Sequence, residues 1–256
     1  MLDIRRVQVS RYAQPLREGG SMPGLVEGDD GFLYVMKFRS AGQGRKALIA
    51  ELLGGEIARR LGARMPELVY LDLPEGLAKT EADEEIQDLL QGSIGLNIGL
   101  SFLSQAMTLD PQVTRLSLDE QALVLWLDAY ILNVDRTVRN PNLLIWYRQP
   151  WLIDHGAAFF FHHQWENWER YIQSKFPQGK DHVVYTPQWE PNRILPRVAQ
   201  VLPDEWLAEL VQEIPEDWLL DPVDDVAPDE KRSRYLAFLV QRRTFLLENP
   251  HAIYPL

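Results

Sequence analysis

A polar loop between an apolar helix and two short apolar strands most constrains how this chain can fold. Residues 116–132 combine a helix-start pattern with a long apolar run, and residues 133–142 are mostly polar. Two apolar strands are predicted next, over residues 142–147 and 151–154. Residues 148–150 connect them, and so short a connection requires an antiparallel hairpin. The polar residues beside the strands must therefore meet at the open end of the hairpin.

Two oxygen-bearing side chains flank this predicted hairpin. Pairing outward from the turn places Asn142 almost opposite Asp154. An amide oxygen and a carboxylate are hard ligands that suit Mg²⁺, which usually fills its remaining positions with water and substrate phosphates. The sequence therefore predicts a metal site at the hairpin mouth, which amounts to half of a nucleotide site.

Asp135 lies just upstream, at the start of the polar loop. A carboxylate there can orient an attacking hydroxyl group and accept its proton, which is the role of the catalytic aspartate in phosphoryl transfer. Arg136 follows directly and has two interpretations. It stabilises the charge of a transferring phosphoryl group, or it attaches the loop to the surrounding protein.

The amino-terminal part of the chain contains a candidate phosphate-binding turn. Gly19, Gly20 and Ser21 lie between two predicted strands, over residues 7–12 and 32–38. Glycines at such a turn let backbone N–H groups approach phosphate oxygens, although an ordinary turn uses the same residues. We count these three residues among the candidate nucleotide contacts.

Lys37 is the one charged residue in the second of these predicted strands. A lysine in apolar surroundings needs an anionic partner. Glu51, on a helix predicted over residues 46–61, is the preferred candidate, and Glu56 is the second choice. A lysine held in this way is placed to contact nucleotide phosphates.

Composition excludes several other classes of function. With 37 acidic and 26 basic residues the chain has a net charge of -11, which disfavours nucleic acid as a partner. It contains no cysteine, so disulfides and thiolate chemistry are excluded. The longest apolar run, residues 122–132, is too short to span a membrane and contains Asp128. We therefore expect a cytoplasmic protein.

The order of predicted elements divides the chain into two parts. Strands predominate before residue 104 and helices after it. We expect an α+β fold with a small β-rich N-lobe at residues 1–104 and a mainly helical C-lobe at residues 105–256. Helices of the second part are predicted over residues 165–174, 204–214 and 230–247.

The order of these motifs resembles the HipA-like kinases and is also similar to the type II phosphatidylinositol 4-kinases. The matching residues are Asn133-Val134-Asp135-Arg136, then Asn140 or Asn142, then Ile153-Asp154-His155-Gly156. The resemblance implies a bilobal protein-kinase-like fold, ATP and Mg²⁺ as cofactors, and a hydroxyl group as phosphate acceptor.

Two features remain open within the resemblance. The family spacing assigns the metal-binding asparagine to Asn140, whereas its place directly before an apolar strand assigns it to Asn142. The HipA pattern normally has histidine after the Asp-Arg pair, and this chain has Thr137. Details of the loop are therefore expected to differ.

Three functions are compatible with these residues. The first is an ATP- and Mg²⁺-dependent kinase that acts on a protein Ser or Thr, as the HipA resemblance implies. The second is a kinase of a small molecule or a lipid head group. The third is a nucleotide-binding pseudokinase or interaction module, which the retention of Asp135, Asp154 and Lys37 disfavours, since binding alone does not require all of them. The acceptor stays unknown.

Overall fold

A computed structural model describes residues 2–16, 22–176, 179–185, 190–221 and 224–253. Eight strands and seven α-helices are present in these ranges. The strands are β1 (Arg6–Pro15), β2 (Gly24–Gly28), β3 (Leu33–Lys37), β4 (Leu68–Leu73), β5 (Gly95–Ser101), β6 (Met107–Thr108), β7 (Leu143–Trp146) and β8 (Gln149–Leu152). The helices are α1 (Arg45–Arg60), α2 (Glu84–Gly92), α3 (Leu118–Ile131), α4 (Leu195–Val201), α5 (Asp204–Gln212), α6 (Glu216–Leu219) and α7 (Pro228–Glu248).

The first five strands close into a small barrel in the order β1-β2-β3-β5-β4. Closure depends on a parallel pairing of β1 with β4, in which Val7 lies beside Leu71. Along β1 the side chains of Val7 and Val9 are buried while their neighbours are exposed, the alternation of a strand with one apolar face. The barrel interior is filled by branched, aromatic and sulfur-containing side chains, among them Val7, Val26, Tyr34, Met36, Val69 and Leu71.

Helix α1 lies between the barrel and the rest of the chain. Every residue from 48 to 58 is buried, including Glu51 and Glu56. Gly54 is required by this close packing, because a Cβ there would lie 2.8 Å from the Cβ of His155. The helix therefore places the Glu51 carboxylate directly beside the residues that follow β8.

Helix α3 forms the apolar support of the polar loop. It begins at a capping box in which Ser117 and Glu120 each bond to the other's backbone. Residues 122–131 are all buried, and Asp128 is the one acidic or basic side chain among those ten. The helix ends at Leu132, which has a left-handed φ of 57° and directs the chain into the loop.

The hairpin β7–β8 differs from the predicted one at its turn. Tyr147 and Arg148 form a two-residue connection with φ values of 46° and 62°, and Trp146 pairs with Gln149. The expected three-residue connection at 148–150 is therefore wrong. Two left-handed residues produce the twist of a primed turn, so a shorter loop suffices.

Most predicted helices are present, but one is wrong. Helices α5 and α7 occupy two of the three expected ranges. Residues 165–174 form only a short 3₁₀ turn at Trp168–Tyr171, which follows Asn167 in a left-handed conformation. A residue with positive φ cannot continue a right-handed helix, which explains the interruption. Within the described ranges, no helix has both the length and the apolar character needed to cross a membrane.

We predict that Arg148→Gly stabilises the protein by about 0.5–1 kcal/mol, because glycine adopts a left-handed φ without the steric cost of a Cβ. The Arg148 side chain is exposed, so little packing is lost. Thermal unfolding should show a rise of roughly 2 °C. Arg148→Ala is the control, since it also removes the side chain but keeps the Cβ. An equal rise for both variants would contradict this explanation of the turn.

Candidate active site

One large cavity lies where the barrel meets the polar loop and the hairpin. Its volume is about 1080 Å³. Strand β3 contributes Val35 and Lys37, and the segment that follows β5 contributes Phe102 and Leu103. The opposite wall contains Asp135, Asn140, Asn142, Ile153 and Asp154. The cavity therefore has an apolar part beside a cluster of polar and charged groups.

Lys37 connects two carboxylates at the wall of this cavity. Its Nζ atom lies 2.6 Å from Glu51 Oε2 and 2.5 Å from Asp154 Oδ1. Burial alone would lower the pKa of Lys37, but the charges of Asp154 and Glu51 outweigh it and raise that pKa above its ordinary value. The ammonium group is therefore charged at neutral pH and is held in one place.

The Glu51 carboxylate links helix α1 to the segment after β8. Its Oε2 atom accepts a hydrogen bond of 2.8 Å from the backbone N–H of His155, in addition to the bond from Lys37. Burial would raise the pKa of Glu51, but Lys37 and His155 outweigh it and lower that pKa well below its usual range. Glu51 is therefore ionised, fully buried and shared between two elements.

Glu56, the second candidate partner of Lys37, lies elsewhere. Its carboxylate binds Arg59 at 2.5 Å, one turn along the same helix. The structure therefore pairs Lys37 with Glu51 and not with Glu56.

Asp135 is held by both candidate asparagines. Its Oδ2 atom accepts a hydrogen bond of 2.8 Å from Asn140 Nδ2 and one of 3.4 Å from Asn142 Nδ2. Burial and the negative charge of Asp154 raise the pKa of Asp135, while the two amides act in the opposite direction. The carboxylate is thus fixed in position and accepts a proton more readily than a free aspartate does.

Asn142 and Asp154 stand at the ends of the hairpin, but they are not directly paired. The backbone N–H of Ile153 donates to Asn142 O at 3.1 Å. Both Asn142 and Asp154 have left-handed φ values, 47° and 55°, so the chain turns sharply at each. Asparagine and aspartate adopt this conformation more readily than most residues do. Backbone geometry as well as chemistry therefore favours these residue types here.

Arg136 does not line the cavity. Its guanidinium group is fully buried and donates 2.7 Å from Nε to Asp128 Oδ2. It also bonds the backbone oxygen of Asn142, the backbone oxygen of Ile153 at 3.2 Å and His155 Nε2 at 3.1 Å. All these contacts are with the protein, so they favour the second interpretation, in which Arg136 attaches the loop to the surrounding protein.

Asp128 anchors this arginine from helix α3. Its two carboxylate oxygens accept bonds from Arg136, from His182 at 2.9 Å and from Asn133 at 3.1 Å. Burial would raise the pKa of Asp128, but Arg136 and His182 outweigh it and lower that pKa. The sequence marked Asp128 only as a charge within an apolar run. A buried charge of this kind needs a partner, and that signal was available.

The remaining predicted contacts concern the glycine turn. Gly19, Gly20 and Ser21 lie outside the described residues. Leu16 and Pro23, on either side of that segment, both line the cavity, and Leu16 N donates to Pro23 O at 2.7 Å.

A second loop of the cavity wall was not among the residues predicted from the sequence. Ala41, Gly42 and Gln43 line the cavity between β3 and α1. Gly42 and Gly44 have φ values of 54° and 63°, which glycine adopts without strain. Two glycines before a helix were a visible signal for a tight loop at this point.

The donor set fits a magnesium ion better than a transition metal. Asp154 and Asp135 offer carboxylate oxygens, and Asn140 and Asn142 offer amide oxygens. Across the described part of the chain, no group of three or more His, Asp or Glu side chains is arranged to hold a metal. A metal at the hairpin mouth would therefore need oxygen ligands from its substrate as well.

The family model of HipA-like kinases matches residues 9–244. The chain belongs to the HipA-like kinase family. This membership assigns it to the kinases, a class of phosphotransferases, and confirms the resemblance found in its motifs.

The mixed α/β fold of this HipA-like kinase also resembles the solved structure of another kinase. The Helicobacter pylori proinflammatory kinase CtkA matches with a TM-score of 0.58, at 11% identity and over 98% of each chain. The Golgi casein kinase with Mn/ADP bound matches with a TM-score of 0.45, at 14% identity, over 97% of this chain and 73% of that chain. At such identities the likeness concerns the fold alone. A comparison with curated proteins finds no match.

We predict that Asp128→Ala destabilises the kinase by about 3–5 kcal/mol, because it leaves the buried Arg136 charge without its carboxylate. Chemical denaturation followed by circular dichroism would measure the loss. Asp119→Ala, on the same helix, is the matched control. Asp119 pairs with Arg193 at 2.8 Å, but its side chain is 77% exposed, so the loss should stay near 1 kcal/mol or below. Similar losses for both variants would contradict the role given to Asp128.

We predict that Asp135→Asn makes the kinase slightly more stable at pH 7, by less than about 1 kcal/mol, since the carboxylate is partly exposed. The raised pKa of Asp135 means that its ionised form destabilises the fold, and this cost disappears as the pH falls through that pKa. Thermal unfolding from pH 7 to pH 4 should show the difference shrinking. Asp88→Asn makes the same charge change on the exposed face of α2 and is the control for that change.

Proposed function

We propose that this kinase transfers the γ-phosphoryl group of ATP to a hydroxyl group of a protein Ser or Thr, with Mg²⁺ as cofactor. One observation carries the proposal. Lys37 is held between Glu51 and Asp154 in the wall of the cavity that also contains Asp135. Phosphoryl transfer needs a fixed cation, a carboxylate able to bind a metal ion and a candidate base in one place.

Different parts of the cavity suit the base and the phosphates of a nucleotide. Its apolar wall, which includes Val35, Phe102 and Leu103, suits a flat base. Lys37 is placed to contact the phosphates, with Glu51 fixing the direction of the ammonium group. Gly19, Gly20 and Ser21, which follow β1 in the sequence, are included in the proposal as backbone contacts of the phosphates.

Asp154 and one or both of Asn140 and Asn142 would hold the metal through oxygen atoms. A bound Mg²⁺ would neutralise charge that develops on the phosphate oxygens. Lys37 would then exchange part of its contact with Asp154 for contact with the phosphates, while Glu51 keeps it in place.

Asp135 would act on the acceptor. The acceptor oxygen attacks the γ-phosphorus atom, the bond to the β–γ bridging oxygen breaks, and ADP leaves. Asp135 accepts the hydroxyl proton. The two amide groups that bond its Oδ2 atom keep the carboxylate directed at one point.

The arrangement supports a bilobal protein-kinase-like molecule. The barrel and α1 would form the N-lobe, up to about residue 104, and residues 105–256 the C-lobe. The cavity receives Lys37 from the first part and Asp135 and Asp154 from the second. The cysteine-free sequence is compatible with a cytoplasmic location, which we include in the proposal.

The direct test combines phosphate transfer with nucleotide binding. Purified kinase is incubated with γ-labelled ATP, Mg²⁺ and a panel of Ser- and Thr-containing peptides, and thermal shift with ATP is measured in parallel. We expect Asp135→Asn to lower kcat by about 10²–10⁴-fold while the ATP-dependent shift remains. Asp154→Asn should remove the Mg²⁺ dependence of the shift. Asp88→Asn is the control for charge and should match the wild type.

The outcomes separate the competing functions. Transfer to small alcohols or lipid head groups but not to peptides would make the acceptor a small molecule or a lipid. A thermal shift without transfer to any acceptor would indicate a nucleotide-binding interaction module. The absence of both would refute the kinase proposal. The variants Asn140→Ala and Asn142→Ala show which asparagine binds the metal. Only the loss of the metal-binding side chain should raise the Mg²⁺ concentration needed for half-maximal rate.

A further inference from the structure

A segment near the carboxyl end of the chain packs against the barrel and α1. This α6 segment comprises residues 213–221. The Trp218 indole donates to Leu96 O on β5 at 3.1 Å, and its ring meets the ring of Tyr70 on β4 at a centroid distance of 5.9 Å. The hydroxyl of Tyr70 donates to Glu213 O at 2.6 Å. The segment is therefore attached to strands β4 and β5 of the barrel.

Asp217 in this segment connects the two ends of one loop. Its Oδ2 atom lies 2.5 Å from Arg39 Nη2, and its Oδ1 atom lies 3.6 Å from Arg45 Nη2. Arg39 comes two residues after Lys37, and Arg45 is the first residue of the helix that carries Glu51. One carboxylate thus joins the end of β3 to the start of α1.

The loop between these arginines is part of the cavity wall. Ala41, Gly42 and Gln43 line the cavity beside Lys37. The helix after the loop begins at Gly44, which provides no side-chain cap. Gly42 and Gly44 also give this short loop more conformational freedom than other residues would. Two turn hydrogen bonds shape the loop from within, from Ala41 N to Phe38 O at 3.2 Å and from Gly44 N to Ala41 O at 2.8 Å, and the arginines at its two ends provide contact with the rest of the protein.

The exposures of the side chains explain why Asp217 can provide that contact. The Arg39 side chain is 11% exposed, so its charge needs a partner, and Asp217 is its one acidic partner within the described ranges. The Asp217 side chain is 49% exposed and stays in contact with water. The desolvation cost of the Asp217 carboxylate is therefore small, so its ion pair with Arg39 can hold the two elements in place without a large energetic penalty.

We propose that Asp217 is a positioning residue of the nucleotide site. It fixes the β3–α1 loop and the spacing between the strand that carries Lys37 and the helix that carries Glu51. This inference rests on the proposed kinase function, in which Lys37 contacts the nucleotide phosphates. Asp217 itself does not line the cavity, so it acts through these groups.

The test compares two neutralising variants of the same segment. Asp217→Asn removes the link between the loop ends. Asp221→Asn is the matched control, because it makes the same change of charge in the same segment at a residue that pairs with Lys46 on α1 at 2.9 Å. For Asp217→Asn we expect the KM for ATP to rise about tenfold while kcat falls less than about threefold. Asp221→Asn should stay within about twofold of the wild type in both, and Asp217→Glu should recover most of the affinity.

A second measurement does not require activity. Hydrogen exchange of the nucleotide-free protein should become faster in residues 39–45 for Asp217→Asn but not for Asp221→Asn. Equal effects of the two variants on KM and on exchange would overturn the proposal. A wild-type protein that neither binds ATP nor transfers phosphate would refute the kinase function, and the exchange experiment would still decide whether Asp217 fixes the loop.

Discussion

The site depends on one buried guanidinium group. Arg136 bonds the Asp128 carboxylate on α3, the backbone at both ends of the β7–β8 hairpin, and the His155 ring. Removing one partner of such a group is costly, because the remaining charge stays buried. The polar loop, the hairpin and the supporting helix therefore keep one relative arrangement, and Asp135 is held beside Asn142 as a result.

The same arrangement extends across the cavity to the barrel. His155 contacts Arg136 through its ring and Glu51 through its backbone N–H, and Glu51 holds Lys37. A continuous series of direct contacts therefore links helix α3 to strand β3. Among the described residues of the site, the three carboxyl groups of Asp135, Glu51 and Asp154 stand against a single lysine, so the site has an excess of acidic groups. A divalent cation would offset this excess and allow the phosphates of a nucleotide to approach.

Some contacts of the site could be predicted from the sequence, and others could not. An isolated lysine in an apolar strand required a carboxylate, and Glu51 is that partner. The hairpin was predictable from its apolar strands, but its turn was not, because Tyr147 and Arg148 give no sign of the left-handed φ that both adopt. Arg136 had two open interpretations. Only its burial among Asp128, Ile153 and His155 distinguishes a positioning role from contact with substrate.

The family, the order of its motifs and the residues able to supply a base, a cation and oxygen ligands follow from the amino-acid sequence alone. These properties are local, since they depend on side-chain chemistry and short spacings. Which of these groups meet depends on the folding of the chain. The apolar run around Asp128 signals that this charge needs a partner, but it does not say which one. His182 and Asp217 carry no such signal, because Asp128 and Arg39 reach them only through folding. Contacts between charged groups that lie far apart in the sequence depend on the packing of the whole chain. The residues next to each group therefore do not reveal its partner.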